Sequence, residues 1–178
     1  NLLKERFIKE RYILILPGGG NNARSQVSLK SWPIENYLKL INNFKNNNYK
    51  IVIIGDKNDS WISKYVQKLD CIDLINKTNL SDLISIIYYC EVLISNDSGV
   101  IHIASLLNKK RITLFGPTNP KSFNYYDKNL ITLHSNNNLT CSPCYDGKNF
   151  PICKINKQCM RNISINQVYD KLRNILNA

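Results

Sequence analysis

The sequence predicts an α/β domain of the Rossmann-like, doubly wound kind, built on a parallel sheet. Short β-branched runs alternate with longer segments of helical period from Tyr12 to Leu176. The runs are apolar throughout rather than alternating, as strands covered on both faces are. Several are followed by a glycine-containing loop that leads into a helix, which makes βαβ units with right-handed crossovers.

Taken in order, Tyr12 to Leu16 reads as a strand, followed by Pro17-Gly18-Gly19-Gly20 and a polar loop to Ser31. Pro33 suits the first turn of a helix, whose apolar face is Ile34, Tyr37, Leu38 and Ile41. Lys50 to Ile54 is the next strand, ended by Gly55-Asp56, and Ser60 to Leu69 is helical. Ile72 to Ile75 forms a short third strand. Asn79, answered by Asp82 three residues on, caps the helix that follows. Val92 to Ser95 is a strand, Ser98 to Leu107 a helix, and Arg111 to Phe115 a strand closed by Gly116-Pro117. Leu130 to His134 is the last strand. Ser164 and Gln167 form the capping box of a terminal helix, Ile165 to Leu176. Residues 1–10 are expected to be a linker from an amino-terminal domain upstream. Residues 11–178 then form one Rossmann-like domain, with a Cys-rich segment at 141–159 and the terminal helix within 164–176.

The 178 residues are 43% apolar and 21% charged, ordinary globular usage that excludes wholesale disorder. No apolar run approaches the length needed to cross a bilayer. Lys and Arg outnumber Asp and Glu by 24 to 13, a net charge of +11, which concentrates anions around the surface. The basic residues are scattered and not interleaved with aromatics, so a nucleic-acid partner is not expected.

In a doubly wound sheet, ligands bind beyond the carboxyl ends of the strands. Three loops fall there. Pro17 to Lys30 has glycines that allow close backbone approach to an anion, but it is neither a GxGxxG nor a Walker motif; Lys30 can supply a point charge to a phosphate. Ser95-Asn96-Asp97-Ser98-Gly99 joins a strand to a helix, and His102 lies four residues after Ser98 and three after Gly99. That spacing brings a hydroxyl, a carboxylate and an imidazole to one spot suited to a diphosphate or to sugar hydroxyls. The plainer reading is that Asp97 or Ser98 merely caps the helix. In the third loop, Gly116 and Pro117 force a turn, and Thr118 offers a hydroxyl.

With "LKSWPIENYLKLI", "IVIIGD", "LSDLISIIYYCEVLISNDSGVIHIAS" and "ITLFGPTNP", the chain resembles the carboxyl-terminal half of glycosyltransferase family 9, the heptosyltransferases of lipopolysaccharide core synthesis. The resemblance spans about residues 12 to 120, and the "CSPC" tail recurs in many members. It implies one half of a GT-B enzyme of bacterial lipopolysaccharide biosynthesis that binds a nucleotide-sugar donor, commonly ADP-heptose, in the cytoplasm or at the inner face of the inner membrane. Carried over by position, Lys30 contacts the diphosphate; Asp97, Ser98 and Gly99 hold phosphates and sugar, with His102, Gly116 and Thr118 beside them; Asp59 faces the adenosine ribose. Family members commonly place Glu at that last position, and the loop from Gly20 to Lys30 is longer here, so Ser25 and Ser28 are not assigned. The family's base is an Asp of the amino-terminal domain, so no catalytic residue is expected in this chain, which should bind donor without turning it over. No obligatory divalent ion is implied. The acceptor is a lipid-linked or core oligosaccharide, and the basic surplus suits an anionic membrane surface. The alternatives are a nonenzymatic nucleotide-binding module and a GT-B-type nucleotide-sugar epimerase.

Cys71 and Cys90 read as core residues. Cys141, Cys144, Cys153 and Cys159 crowd together as C-x2-C-x8-C-x5-C. A structural zinc or iron, disulfides and free thiols are all compatible with that spacing.

Overall fold

The structure, a computed structural model, describes residues 11–18, 27–44, 49–122, 127–135 and 139–177. The linker expected at residues 1–10 lies outside them. Six parallel strands form one sheet: β1 (Tyr12–Leu16), β2 (Lys50–Ile53), β3 (Ile72–Asp73), β4 (Val92–Asn96), β5 (Arg111–Phe115) and β6 (Leu130–His134). Their order is β3-β2-β1-β4-β5-β6. The chain winds outward from β1 to β3, then returns to the middle and winds the other way from β4 to β6. This reversal between β1 and β4, where Ile13 pairs with Val92 and Ile15 with Ile94, opens a crevice beyond the strand ends.

Successive residues of a strand point to opposite faces, so each buried strand feeds two cores. Ile13, Ile15, Ile51, Ile53 and Ile94 face Tyr37, Leu40 and Ile41 of α1 (Ile34–Asn43) and Val168 and Leu172 of α6 (Ile165–Leu176). Tyr12, Leu14, Leu16, Val52 and Leu93 face Ile86 and Ile87 of α3 (Leu80–Tyr89) and Ala104 of α4 (Val100–Leu106). Two short helices, α2 (Ser63–Val66) and α5 (Gln158–Arg161), complete the layers. Asn79 and Asp82 form the expected capping box on α3, and Ser164 and Gln167 that on α6.

Several boundaries differ from the sequence reading, each for a local reason. Pro33 stands just outside α1 with ψ 131°, as its N-cap rather than in its first turn. The helix expected over Ser60 to Leu69 is instead a 3-10 turn, Lys57–Ile62, running into the single turn of α2. Asp56 accepts from Asn58 N–H at 2.6 Å and Asp59 accepts from Asp56 N–H at 3.0 Å, a capping box that starts the coil early. β3 stops at Asp73, whose carboxylate turns the chain by accepting from Ile75 N–H at 2.9 Å. The helix expected from Ser98 begins at Val100, because neither Asp97 nor Ser98 caps it; its N-cap is Gly99, with no side-chain bond. Cys90 is buried as expected, and Cys71 half-buried.

Candidate functional site

Asn96, the last residue of β4, is fully buried and makes four hydrogen bonds. Its Oδ1 accepts from Trp32 N–H at 3.1 Å and from the Tyr37 hydroxyl at 3.0 Å. Its Nδ2 donates to the carbonyls of Pro17 and Gly18 at 2.8 and 3.1 Å. One side chain therefore fixes the end of β1, the entry to α1 and the end of β4 in a common frame, with its amide capacity fully used. Trp32 is further held by its indole N–H on Ile163 O at 2.8 Å. The sequence reading quoted Asn96 without giving it a role. The signal was an amide closing an otherwise apolar strand.

Beside it, Lys30 Nζ donates to Asp97 Oδ2 at 2.8 Å, and Thr118 Oγ1 donates to the same oxygen at 2.8 Å. Asp97 is 4% exposed. Its carboxylate therefore faces inward and acts as a clamp. The oxygen expected to meet a ligand is engaged within the chain: a buried carboxylate needs a charge partner, and Lys30 is that partner. Thr118 is fully buried and serves the same clamp. Lys30 keeps two further N–H donors and lies 5.7 Å from the Phe150 ring centre.

On the α3–α4 side of the strand ends lies a cavity of about 470 Å³. Leu16, Ile54, Leu80 and Leu83 give it apolar walls, and Asp59, Ser98 and Gly99 its polar corner. The Ser98 Oγ is buried and has no hydrogen-bond partner among the described residues. A methyl group built on Gly99 would meet nothing within 4 Å, so the backbone there is open to a guest. Asp59 gives one oxygen to Asp56 N–H; burial, with a smaller contribution from the charge of Asp56, holds its carboxyl above the usual range despite that bond. Asp59 also passes so close to Gly18 that a Cβ there would lie 2.2 Å from its Oδ1. Gly18 is thus required by a neighbouring side chain.

Other expected residues lie apart. His102 is exposed on the first turn of α4, its N–H bonded to Gly99 O at 3.2 Å, and is not among the described walls of this cavity. Gly116 serves packing: a Cβ would lie 2.4 Å from Met160 Sδ, and its carbonyl accepts from Ser142 Oγ at 2.9 Å. Ser25 and the side chain of Ser28 lie outside the described residues.

Cys141, Cys144, Cys153 and Cys159 are free thiols. They share a neighbourhood: burial, then the charges of Cys141 and Cys153, push the Cys144 thiol up, and Cys159 is raised by burial and by the other three. Among the described residues, however, no three His, Cys, Asp or Glu side chains stand together as a metal-ligand set. Of the three states the spacing allows, a zinc or iron site is not one that these residues fit as placed.

A doubly wound parallel sheet with flanking helices, and a part-apolar cavity at its switch point with Asp59 and Ser98 at its polar corner, defines a Rossmann-like α/β domain. Residues 3–151 match the model of glycosyltransferase family 9 (heptosyltransferase), and the chain belongs to that family. It is 26% identical over 165 residues to a lipooligosaccharide heptosyltransferase 2 of Campylobacter jejuni, covering 89% of this chain and 50% of that protein. The ADP-heptose LPS heptosyltransferase II of E. coli shares the fold with a TM-score of 0.74 and 21% identity, over 99% of this chain and 52% of that one. E. coli heptosyltransferase WaaC, solved with ADP-2-deoxy-2-fluoro heptose, aligns with a TM-score of 0.66 and 18% identity, over 98% and 48%. The chain spans about half the length of each, and its architecture is one Rossmann-like half of a GT-B enzyme.

Proposed function

We propose that this chain is the donor-binding half of an inverting transferase that moves heptose from ADP-heptose to the core of a lipopolysaccharide or lipooligosaccharide. The observation that carries this reading is the buried, unpartnered Ser98 hydroxyl at the polar corner of the 470 Å³ cavity. A buried hydroxyl without a partner costs about 1–3 kcal/mol, which an incoming phosphate oxygen would return. The base stacks between Leu16, Ile54, Leu80 and Leu83, Asp59 accepts from ribose hydroxyls, and the diphosphate runs past Ser98 and the open backbone of Gly99 toward Lys30. His102, exposed on the first turn of α4, lies on the sugar's side.

When the glycosidic bond breaks, negative charge builds on the diphosphate oxygens. Lys30, anchored on Asp97 before the reaction, opposes that charge without having to reorganise. The proton of the acceptor hydroxyl goes to a base outside this chain, in the remaining half of the enzyme. Among the described residues no helix is long and apolar enough to cross a membrane. The lipid-linked acceptor is met at the inner face of the inner membrane, where the +11 charge favours an anionic surface.

Titrating the chain with ADP by calorimetry, alongside its melting temperature, tests the reading. Saturable binding that raises the melting point by mass action is expected. Equal affinity for ADP in a Ser98→Ala chain would overturn it. Robust heptose transfer by the chain alone would overturn the division of labour.

A further inference from the structure

A second cavity, of about 760 Å³, lies across Asp59 from the first, on the α1 side of the sheet. We propose that it binds an anionic saccharide, a sugar bearing a phosphate or carboxylate, through a Trp61 platform and the cationic pair Lys157 and Arg161. The binding claim stands on this cavity alone; that its occupant is part of the acceptor rests on the transferase reading above.

Trp61 is 49% exposed at the cavity wall, and Tyr65 meets its ring edge-to-face at 6.0 Å and 84°, which sets the indole plane. A solvent-facing aromatic plane at a polar cavity suits a pyranose, whose C–H face is apolar and whose rim is a ring of hydroxyls. Glu35 supplies a carboxylate to accept from those hydroxyls, and Pro33 lines the cavity at the start of α1.

Lys157, the residue that precedes α5, and Arg161, its last residue, both line the same cavity. Neither forms an ion pair among the described residues. Their placement is built. Cys159 and Met160, both buried, seat α5 against Gly116, and the Lys157 N–H is held by Cys153 Sγ at 3.2 Å. Asn156 and Lys157 both adopt left-handed backbone, with φ 45° and 54°, an uncommon conformation for lysine. The end of the Cys-rich segment and α5 thus present two cations to the cavity, where a neutral sugar would leave them unused.

The chain has two tryptophans, so incorporation of 5-fluorotryptophan yields one fluorine resonance for buried Trp32 and one for Trp61. Glucose 6-phosphate should shift the Trp61 resonance saturably at millimolar concentration, and by more than that of Trp32, which lines the same cavity but is 2% exposed. Glucose should bind more weakly, and a Lys157→Gln/Arg161→Gln chain should lose at least about tenfold in affinity as its charge-assisted bonds go. A Trp61 resonance that does not move, an equal response to inorganic phosphate, or undiminished affinity in the double variant each overturns the proposal. ADP is titrated separately. Failure of ADP alone sinks the donor reading and leaves this site standing; failure of glucose 6-phosphate alone does the reverse.

Discussion

Lys30 and Asp97 meet at 2.8 Å, with their side chains 23% and 6% exposed, so the cation reaches the surface while its counter-charge stays inside. The pair is a mount: Asp97 is spent on orienting Lys30, and Lys30 retains donors for an anion. The two residues therefore respond differently to substitution. Lys30→Met leaves a buried carboxylate with only Thr118 and should cost about 3 kcal/mol, the usual penalty for breaking a buried pair from one side. Asp97→Asn keeps the shape and the Thr118 contact, should be nearly neutral in stability, and should weaken ADP by about tenfold by loosening Lys30. Combining the two should restore most of the stability of Lys30→Met and none of its ADP binding. Thermal melts paired with calorimetry read both axes. Full ADP affinity in Lys30→Met would remove the lysine from the donor site.

Asp59 gives a pH test whose sign follows from its environment. Its carboxyl is raised by burial, so the folded chain holds that proton more tightly than the unfolded chain does. The resulting stabilisation is complete below the ordinary value of 3.8 and is lost as pH rises through the raised folded value. Asp59→Asn, which can still accept from Asp56 N–H, should escape that loss. Its melting temperature relative to the parent should be higher at pH 7 than at pH 3.5 by about 1–2 °C. The same variant should bind ADP more weakly, since an amide is a poorer acceptor for ribose hydroxyls. A melting difference that does not change with pH would contradict the burial argument.

Asn96 should be among the costliest polar positions in the chain. Asn96→Asp turns a carboxylate oxygen toward the carbonyls of Pro17 and Gly18, and Asn96→Ala strands those carbonyls, the Trp32 N–H and the Tyr37 hydroxyl together. Either should lower unfolding free energy by about 3–5 kcal/mol, measured by urea denaturation with the change in m checked. A loss under about 1 kcal/mol would mean that water takes over the four bonds.

The sheet was legible in the sequence because its signals are local. Unbroken runs such as Tyr12–Leu16 mark strands covered on both faces, and Asn79 with Asp82 marks a helix start whatever lies around it. The loop from Ser95 to Gly99 that joins β4 to α4 was equally visible. The direction of the Asp97 side chain was not, because it is decided by Lys30 and Thr118, 67 and 21 residues away. The same is true of Asn96, whose four partners come from two other segments. α5 escaped notice because four residues show no period, and its place depends on Cys159 and Met160 finding the hollow above Gly116. Local pattern predicts elements; which side chains meet across the strand ends is a property of the assembled sheet.

That hollow allows a final experiment to separate the two cavities. At Gly116 a Cβ would lie 2.4 Å from Met160 Sδ and 3.1 Å from Cys159 Sγ, so Gly116→Ala must displace the buried Met160 side chain, lift α5 or shift the turn. Overpacking of this kind costs about 1–3 kcal/mol, and the melting temperature should fall accordingly. Because α5 carries Arg161 and is entered from Lys157, glucose 6-phosphate should bind the variant several-fold more weakly. ADP, proposed above for the cavity walled by α3, α4 and the ends of β1 and β2, should bind with little change. Should ADP affinity fall instead while the sugar phosphate holds, Gly116 would belong to the donor site, as its position in the family motif implies, and its contact with Met160 would be secondary.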